Sequence, residues 1–290
     1  MDASDSAPAR GGATPFVDYP ASAALPGWRE AGSGWPLLLL HGWSVNGDAF
    51  LGQAALAESG YRVIAPDHAG HGLSRLRGSP AASIASLAAD TAALIQHLNL
   101  RDVIIVGWSM GAMVAWELMR SEPGLPLAAI GAIDMTPRLV AGPDWPHGLY
   151  GRYDAVQADQ MAARIRKDWR RLAPSVAAGL WADGRQPDAG LVARVEAMND
   201  QCDAVALAAL WEDMARQDFR ETLRAATLPL FHLYGERSRL YAPAVGRATL
   251  ALRPDAGFAT IADTGHSPHM ERPQAFNAAL VALCDQASTR

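Results

Sequence analysis

The chain has 290 residues, half of them apolar, with 25 Lys plus Arg against 30 Asp plus Glu and a net charge of −5. That length suits one principal domain carrying an insertion, and mild acidity without a basic block excludes the electrostatic footprint of a nucleic-acid binder. The apolar runs are short and bounded by Gly or Pro, well under the roughly 20 residues that cross a bilayer, so no membrane span is expected.

Residues 1–14 are small and polar, include two aspartates, and lack the basic-then-apolar order of a secretory signal; they read as a disordered leader. Cys202 and Cys284 stand far apart with no C-x-x-C or metal-ligand spacing, which suits a reducing compartment, and a cytoplasmic protein is expected.

Short apolar runs alternate with segments of helical period, the pattern of an α/β domain with a mainly parallel sheet. A weak edge strand is expected at Trp28–Ala31, and buried strands at 36–40 and 61–65. A helix over 83–98 follows, with Ile84, Leu87, Leu94, Ile95 and Leu98 on its apolar stripe. Next come a strand at 103–106, a helix over 109–120 after a tight turn, and a strand at Leu127–Ile133. From 136 to 227 only helical stretches rich in Ala, Arg and Trp occur, broken at 143–146, Pro174 and 184–190. Strand pattern resumes at 230–233 and 258–261, and a helix over 273–283 closes the chain. The expected organisation is a core of residues 15–135 and 228–290, with a helical cap of residues 136–227 over the carboxyl ends of the strands, where ligands bind in open α/β sheets.

Gly107-Trp108-Ser109-Met110-Gly111 is a G-x-S-x-G between an apolar strand and a helix. In that context the serine sits on a strained turn whose backbone passes so close to its surroundings that side chains two positions away must be absent. A serine hydroxyl is a poor nucleophile until a base takes its proton. His266, in the loop between the last expected strand and the final helix, is the candidate base.

The order of strand-His41-Gly42-Trp43, Asp67-x-x-Gly70-His71-Gly72-x-Ser74, the Ser109 turn and Gly265-His266 resembles the serine-nucleophile branch of the α/β-hydrolases over nearly the whole chain. The stretch from His41 to Asn46 and the Gly107-Trp108-Ser109 turn are similar to carboxylesterases that act on pimeloyl-carrier-protein methyl esters. The resemblance implies the α/β-hydrolase fold, with the cap inserted after the strand that ends at Asp134. It also implies backbone oxyanion donors at Trp43 and Met110. His41 is expected to brace its loop rather than catalyse, and the His68–His71 stretch beside Asp67 to be a loop signature rather than a metal site.

The acid of the triad departs from the pattern. Where most of the family shows Y-G-x-x-D, this chain reads Tyr234-Gly235-Glu236-Arg237-Ser238, and a hydroxyl cannot stabilise an imidazolium as a carboxylate does. Asp134 is the expected acid, since some α/β-hydrolases place it one strand after the nucleophile; Glu236 is the alternative and Asp263 an outsider.

Trp145, Tyr150, Tyr153, Trp169, Trp181, Trp211 and Met214 make the cap bulky and apolar, so an apolar acyl or aryl guest is expected, with most of these residues in the cap's own core. Arg164, Arg166, Lys167, Arg170 and Arg171 lie opposite Ile165, Trp169 and Leu172 on one helix. They form either a solvated face or a landing patch for an acyl carrier or a CoA ester. The leading expectation is a serine hydrolase that cleaves a small-molecule ester, thioester or lactone through an acyl-enzyme and needs no cofactor. The same fold also hosts C–C bond hydrolases, perhydrolases, cofactor-free dioxygenases and non-catalytic binding homologues.

Overall fold

The computed structural model describes residues 15–288, so the leader expected over residues 1–14 lies outside the described residues. Eight strands form one sheet in the order β1-β2-β4-β3-β5-β6-β7-β8. They are β1 (Val17–Tyr19), β2 (Trp28–Ala31), β3 (Trp35–Leu40), β4 (Tyr61–Pro66), β5 (Val103–Trp108), β6 (Leu127–Ile133), β7 (Leu230–Gly235) and β8 (Gly257–Ile261). β1 pairs antiparallel with β2, and β2 with β4; every other pairing is parallel. Each expected strand is present, at or within two residues of its expected bounds. β1 was not expected, because its three residues are exposed and too few to leave a periodic mark, and contacts with β2 hold it.

The helices are α1 (Ile84–His97), α2 (Met110–Ser121), α3 (Ala155–Ala178), α4 (Ala189–Asp200), α5 (Ala204–Arg216), α6 (Arg220–Arg224), α7 (Pro243–Leu252), α8 (Pro268–Glu271) and α9 (Pro273–Ser288). On β5, Val103 and Ile105 join the cluster made with α1 and α2, while Ile104 and Val106 join the one made with α9 and the 3-10 segment Gly47–Ser59. Both faces of the strand are covered, which is why its sequence is apolar throughout. Ser83 caps α1: its hydroxyl accepts from the Ser86 amide at 3.1 Å and the Ser86 hydroxyl accepts from the Ser83 amide at 3.0 Å.

Between β6 and β7 the chain forms α3 to α6 and adds no strand to the sheet. Ile165, Trp169 and Leu172 are buried at the expected spacing, and Asp168 (φ −162°, ψ 80°) breaks α3 into two arms. α7 was not anticipated, since its buried face is only Val245, Gly246 and Thr249. The sheet places β4 on one side of β3 and β5 on the other, so the crevice of the topological switch opens at the carboxyl ends of β3 and β5.

Candidate active site

Ser109 follows β5 and opens α2 with φ 53° and ψ −117°, a strained conformation for an L-residue that costs on the order of 1–3 kcal/mol. The bond from its amide to the Ile133 carbonyl, at 3.0 Å, helps hold it there. The flanking glycines have the reason expected of them. A Cβ on Gly107 would lie 2.2 Å from the Gly111 carbonyl, and one on Gly111 would lie 2.1 Å from the Leu40 oxygen. The loop after β3 reaches the same point, since a Cβ on Gly42 would stand 3.3 Å from the Ser109 Cβ. That close approach brings Trp43 beside the serine, and the backbone amides of Trp43 and Met110 donate to no group among the described residues.

His41 braces this loop. Its Nε2 accepts from the His68 amide at 2.9 Å, which requires the tautomer whose Nδ1–H donates to the Gly42 carbonyl at 2.8 Å. Burial, then the neighbouring His68 and His71, pushes the His41 imidazole well below its ordinary value. Asp67 is occupied by Arg29 at 2.7 Å and by the amides of Gly47 and Leu73, each at 2.7 Å. Among the described residues no group of three or more His, Cys, Asp or Glu is arranged to hold a metal ion.

His266 and Asp134 meet. The histidine Nδ1 lies 2.6 Å from Asp134 Oδ2, and the two residues are 2% and 0% exposed, so the contact is shielded from solvent competition. Asp134 sits directly after β6, with its amide bonded to the Leu233 carbonyl at 2.8 Å. Glu236, the alternative acid, is exposed and accepts instead from the Asp263 amide at 3.1 Å. Asp263 is engaged by Arg185, Arg237 and Arg272. Ser109 and His266 line one cavity, without a direct hydrogen bond between them among the described residues. Such bonds often close only when substrate is bound.

Three residues to which the sequence assigned no role complete the arrangement. Ser238 donates to Asp134 Oδ2 at 2.7 Å. The Trp108 indole donates to the His266 carbonyl at 2.7 Å. Glu271 accepts from the Gly265 amide at 2.7 Å and the Ala182 amide at 3.0 Å, tying the histidine loop to the helical segment; burial pushes its carboxyl up, against the pull of those amides. The serine in place of the usual aspartate was visible in sequence, and its contact with a neighbouring carboxylate was the reading left undrawn.

The cavity above Ser109, about 90 Å3, is lined mainly by apolar groups, with Leu139, Leu149, Met161, Val176, Leu180 and Leu240 among them. Of the bulky residues expected around the guest, Tyr150, Trp211 and Met214 line it. Trp169 instead packs edge-on against Trp43 and donates to the Asn199 carbonyl, within the core. Trp145 donates to Thr136, and Trp181 packs with the opposite cluster. Burial, then the charge of Asp134, holds the Tyr241 phenol well above its ordinary value, so it faces the cavity as a neutral ring.

A serine on a strand-to-helix turn, a buried His–Asp pair and a helical segment between β6 and β7 of a mainly parallel sheet define a hydrolase-type α/β architecture. The chain belongs to the alpha/beta hydrolase family, whose model matches residues 37–279. It is 30% identical over 245 residues to the pimeloyl-[acyl-carrier protein] methyl ester esterase of Aromatoleum aromaticum, covering 82% of this chain and 93% of that protein. Its structure is similar to a thermophilic esterase from Thermogutta terrifontis (TM-score 0.78, 24% identity, 94% of this chain and 99% of that one). It is also similar to a bromoperoxidase from Bacillus anthracis (TM-score 0.83, 21% identity, 93% and 99%). At these identities the two structures show a shared fold. No helix among the described residues is long and apolar enough to cross a membrane.

Proposed function

We propose that the chain hydrolyses carboxylic esters of apolar acyl or aryl groups through an acyl-enzyme on Ser109, with the segment 136–227 as the cap that encloses the guest. The observation that carries this reading is the 2.6 Å contact of His266 with Asp134 beside a strained serine in an apolar cavity. Ser109 Oγ attacks the carbonyl while His266 Nε2 takes its proton, and Asp134 holds the imidazole by Nδ1 and stabilises its charge. The oxyanion of the tetrahedral intermediate accepts from the amides of Trp43 and Met110. As that intermediate collapses, the alkoxide leaves with the proton from His266. Water, deprotonated by His266, then attacks the acyl-enzyme, and the carboxylic acid departs as Ser109 regains its proton. Thioesters and lactones fit the same steps, and no cofactor takes part.

The test is turnover of p-nitrophenyl esters from acetate to palmitate by wild type, Ser109→Ala, Asp134→Asn and Glu236→Gln. Loss of activity in the first two variants and its retention in the third is expected. A Ser109→Ala protein that keeps substantial O2-dependent turnover would replace acyl chemistry with oxygenation, and esters untouched by wild type would turn the reading to C–C cleavage or oxygenation.

The name of the Aromatoleum relative adds a finer reading, in which the ester is presented on an acyl carrier. Arg164, Lys167, Arg170 and Arg171 are exposed on α3, and Arg164 lines a vestibule that shares Leu149, Tyr150, Met161, Val176 and Trp211 with the cavity. Arg166 is paired with Glu212. An acidic carrier would be steered by this face. Charge reversal at Arg164 and Arg170 should then depress turnover of carrier-bound esters and spare free ones; equal rates on both would remove the carrier from the reading.

A further inference from the structure

Ser238 stands in the Y-G-x-x-D slot, where the carboxylate is missing, and its hydroxyl lies against the carboxylate that the structure pairs with His266. Its hydrogen-bond direction follows from its partners. The Tyr241 amide can only donate, and it points at Ser238 Oγ at 3.3 Å, so the oxygen accepts there. The hydroxyl proton is left for Asp134 Oδ2 at 2.7 Å, an acceptor when ionised. Oδ2 thereby receives two donors, Ser238 Oγ and His266 Nδ1, and Oδ1 receives the Gly235 amide at 3.2 Å. A carboxylate held by three donors on both oxygens cannot rotate away from the imidazole without leaving a buried charge short of a partner.

We propose that Ser238 is a positioning residue for catalysis: its hydroxyl, donated to Asp134 Oδ2, fixes the rotation of the carboxylate that orients His266. The inference rests on the triad proposed above. It explains the departure from Y-G-x-x-D as an exchange of roles, in which the acid has moved to the end of β6 and its former slot supplies a hydrogen-bond donor. A second carboxylate there would face Asp134 at hydrogen-bond distance, and one of the two would have to take a proton. A neutral donor of the same reach avoids that conflict.

The test compares Ser238→Ala and Ser238→Thr with wild type on a p-nitrophenyl ester, with Ser109→Ala and Asp134→Asn alongside. Ser238→Ala should lower kcat about tenfold or more while KM stays within about twofold, as expected when a hydrogen bond to a charged group is lost from the reacting machinery rather than from the guest's binding site. Ser238→Thr, which keeps the hydroxyl, should recover most of kcat. Inactivation by a fluorophosphonate should slow in Ser238→Ala by a similar factor with its saturation constant unmoved. Wild-type kcat in Ser238→Ala, or equal losses in the Ala and Thr variants, would overturn the proposal while the triad stood. An active Ser109→Ala would overturn the triad and this inference with it.

Discussion

The indole nitrogen of Trp108 donates to the main-chain oxygen of His266 at 2.7 Å, so the residue before the serine grips the residue proposed as its base. Trp108 is 1% exposed and its ring also packs against the His266 and His269 rings. Trp108→Phe keeps most of that packing and removes the bond, leaving a buried carbonyl unpartnered. Stability should fall by about 1–3 kcal/mol in denaturant unfolding, and kcat should fall several-fold with little change in KM. Unchanged kcat would mean that the histidine loop keeps its place without the indole.

A carboxylate returned to its usual slot gives a second test. Ser238→Asp alone sets two acids against each other, and esterase activity near neutral pH should drop. Combined with Asp134→Asn, the same substitution should restore part of the turnover that Asp134→Asn loses. A double variant no more active than Asp134→Asn would show that a carboxylate in this slot cannot serve His266.

Buried histidines make stability depend on acid. Burial pushes His68 and His269 down to about 3, and His71 and His232 down to about 4. An unfolded histidine titrates near 6.5, so below that pH the unfolded chain binds more protons than the folded one and stability falls as pH drops toward about 3. His232 has neither ring nitrogen partnered. Its replacement in His232→Leu should stabilise the protein by about 1 kcal/mol at neutral pH and flatten the acid limb of a stability profile. A variant with the wild-type slope would exclude His232 as a source of the dependence.

Met161 lines both the cavity and the vestibule, at the passage between them. Met161→Trp should narrow that passage and shift the preferred p-nitrophenyl ester toward shorter acyl chains, with acetate turnover close to wild type. An unshifted chain-length profile would place the acyl chain elsewhere.

Much of this architecture was legible because each signal was local. The strands of the buried sheet are apolar runs, α1 announces itself by Ser83 and its stripe, and the Ser109 turn needs glycines at 107 and 111 that the neighbouring backbone demands. Asp134 could be proposed because a carboxylate had to be found and the end of β6 supplied one. Ser238, Trp108 and Glu271 were not read from sequence, because each acts through a partner between 6 and 158 residues away, brought near only when the sheet and the helix after β8 assemble. α7 and β1 escaped for the opposite reason: they bury too little to leave a periodic mark.

The chain leaves the sheet at Asp134 for the helices between β6 and β7. Two residues on, Thr136 holds the outgoing stem, accepting from the Trp145 indole and donating to the His147 carbonyl. The chain therefore enters this helical segment directly after the residue that faces His266. On the proposed cap and triad, a guest that displaced this stem would be felt at the backbone of Asp134, and so in the rate of bond breaking as well as in affinity.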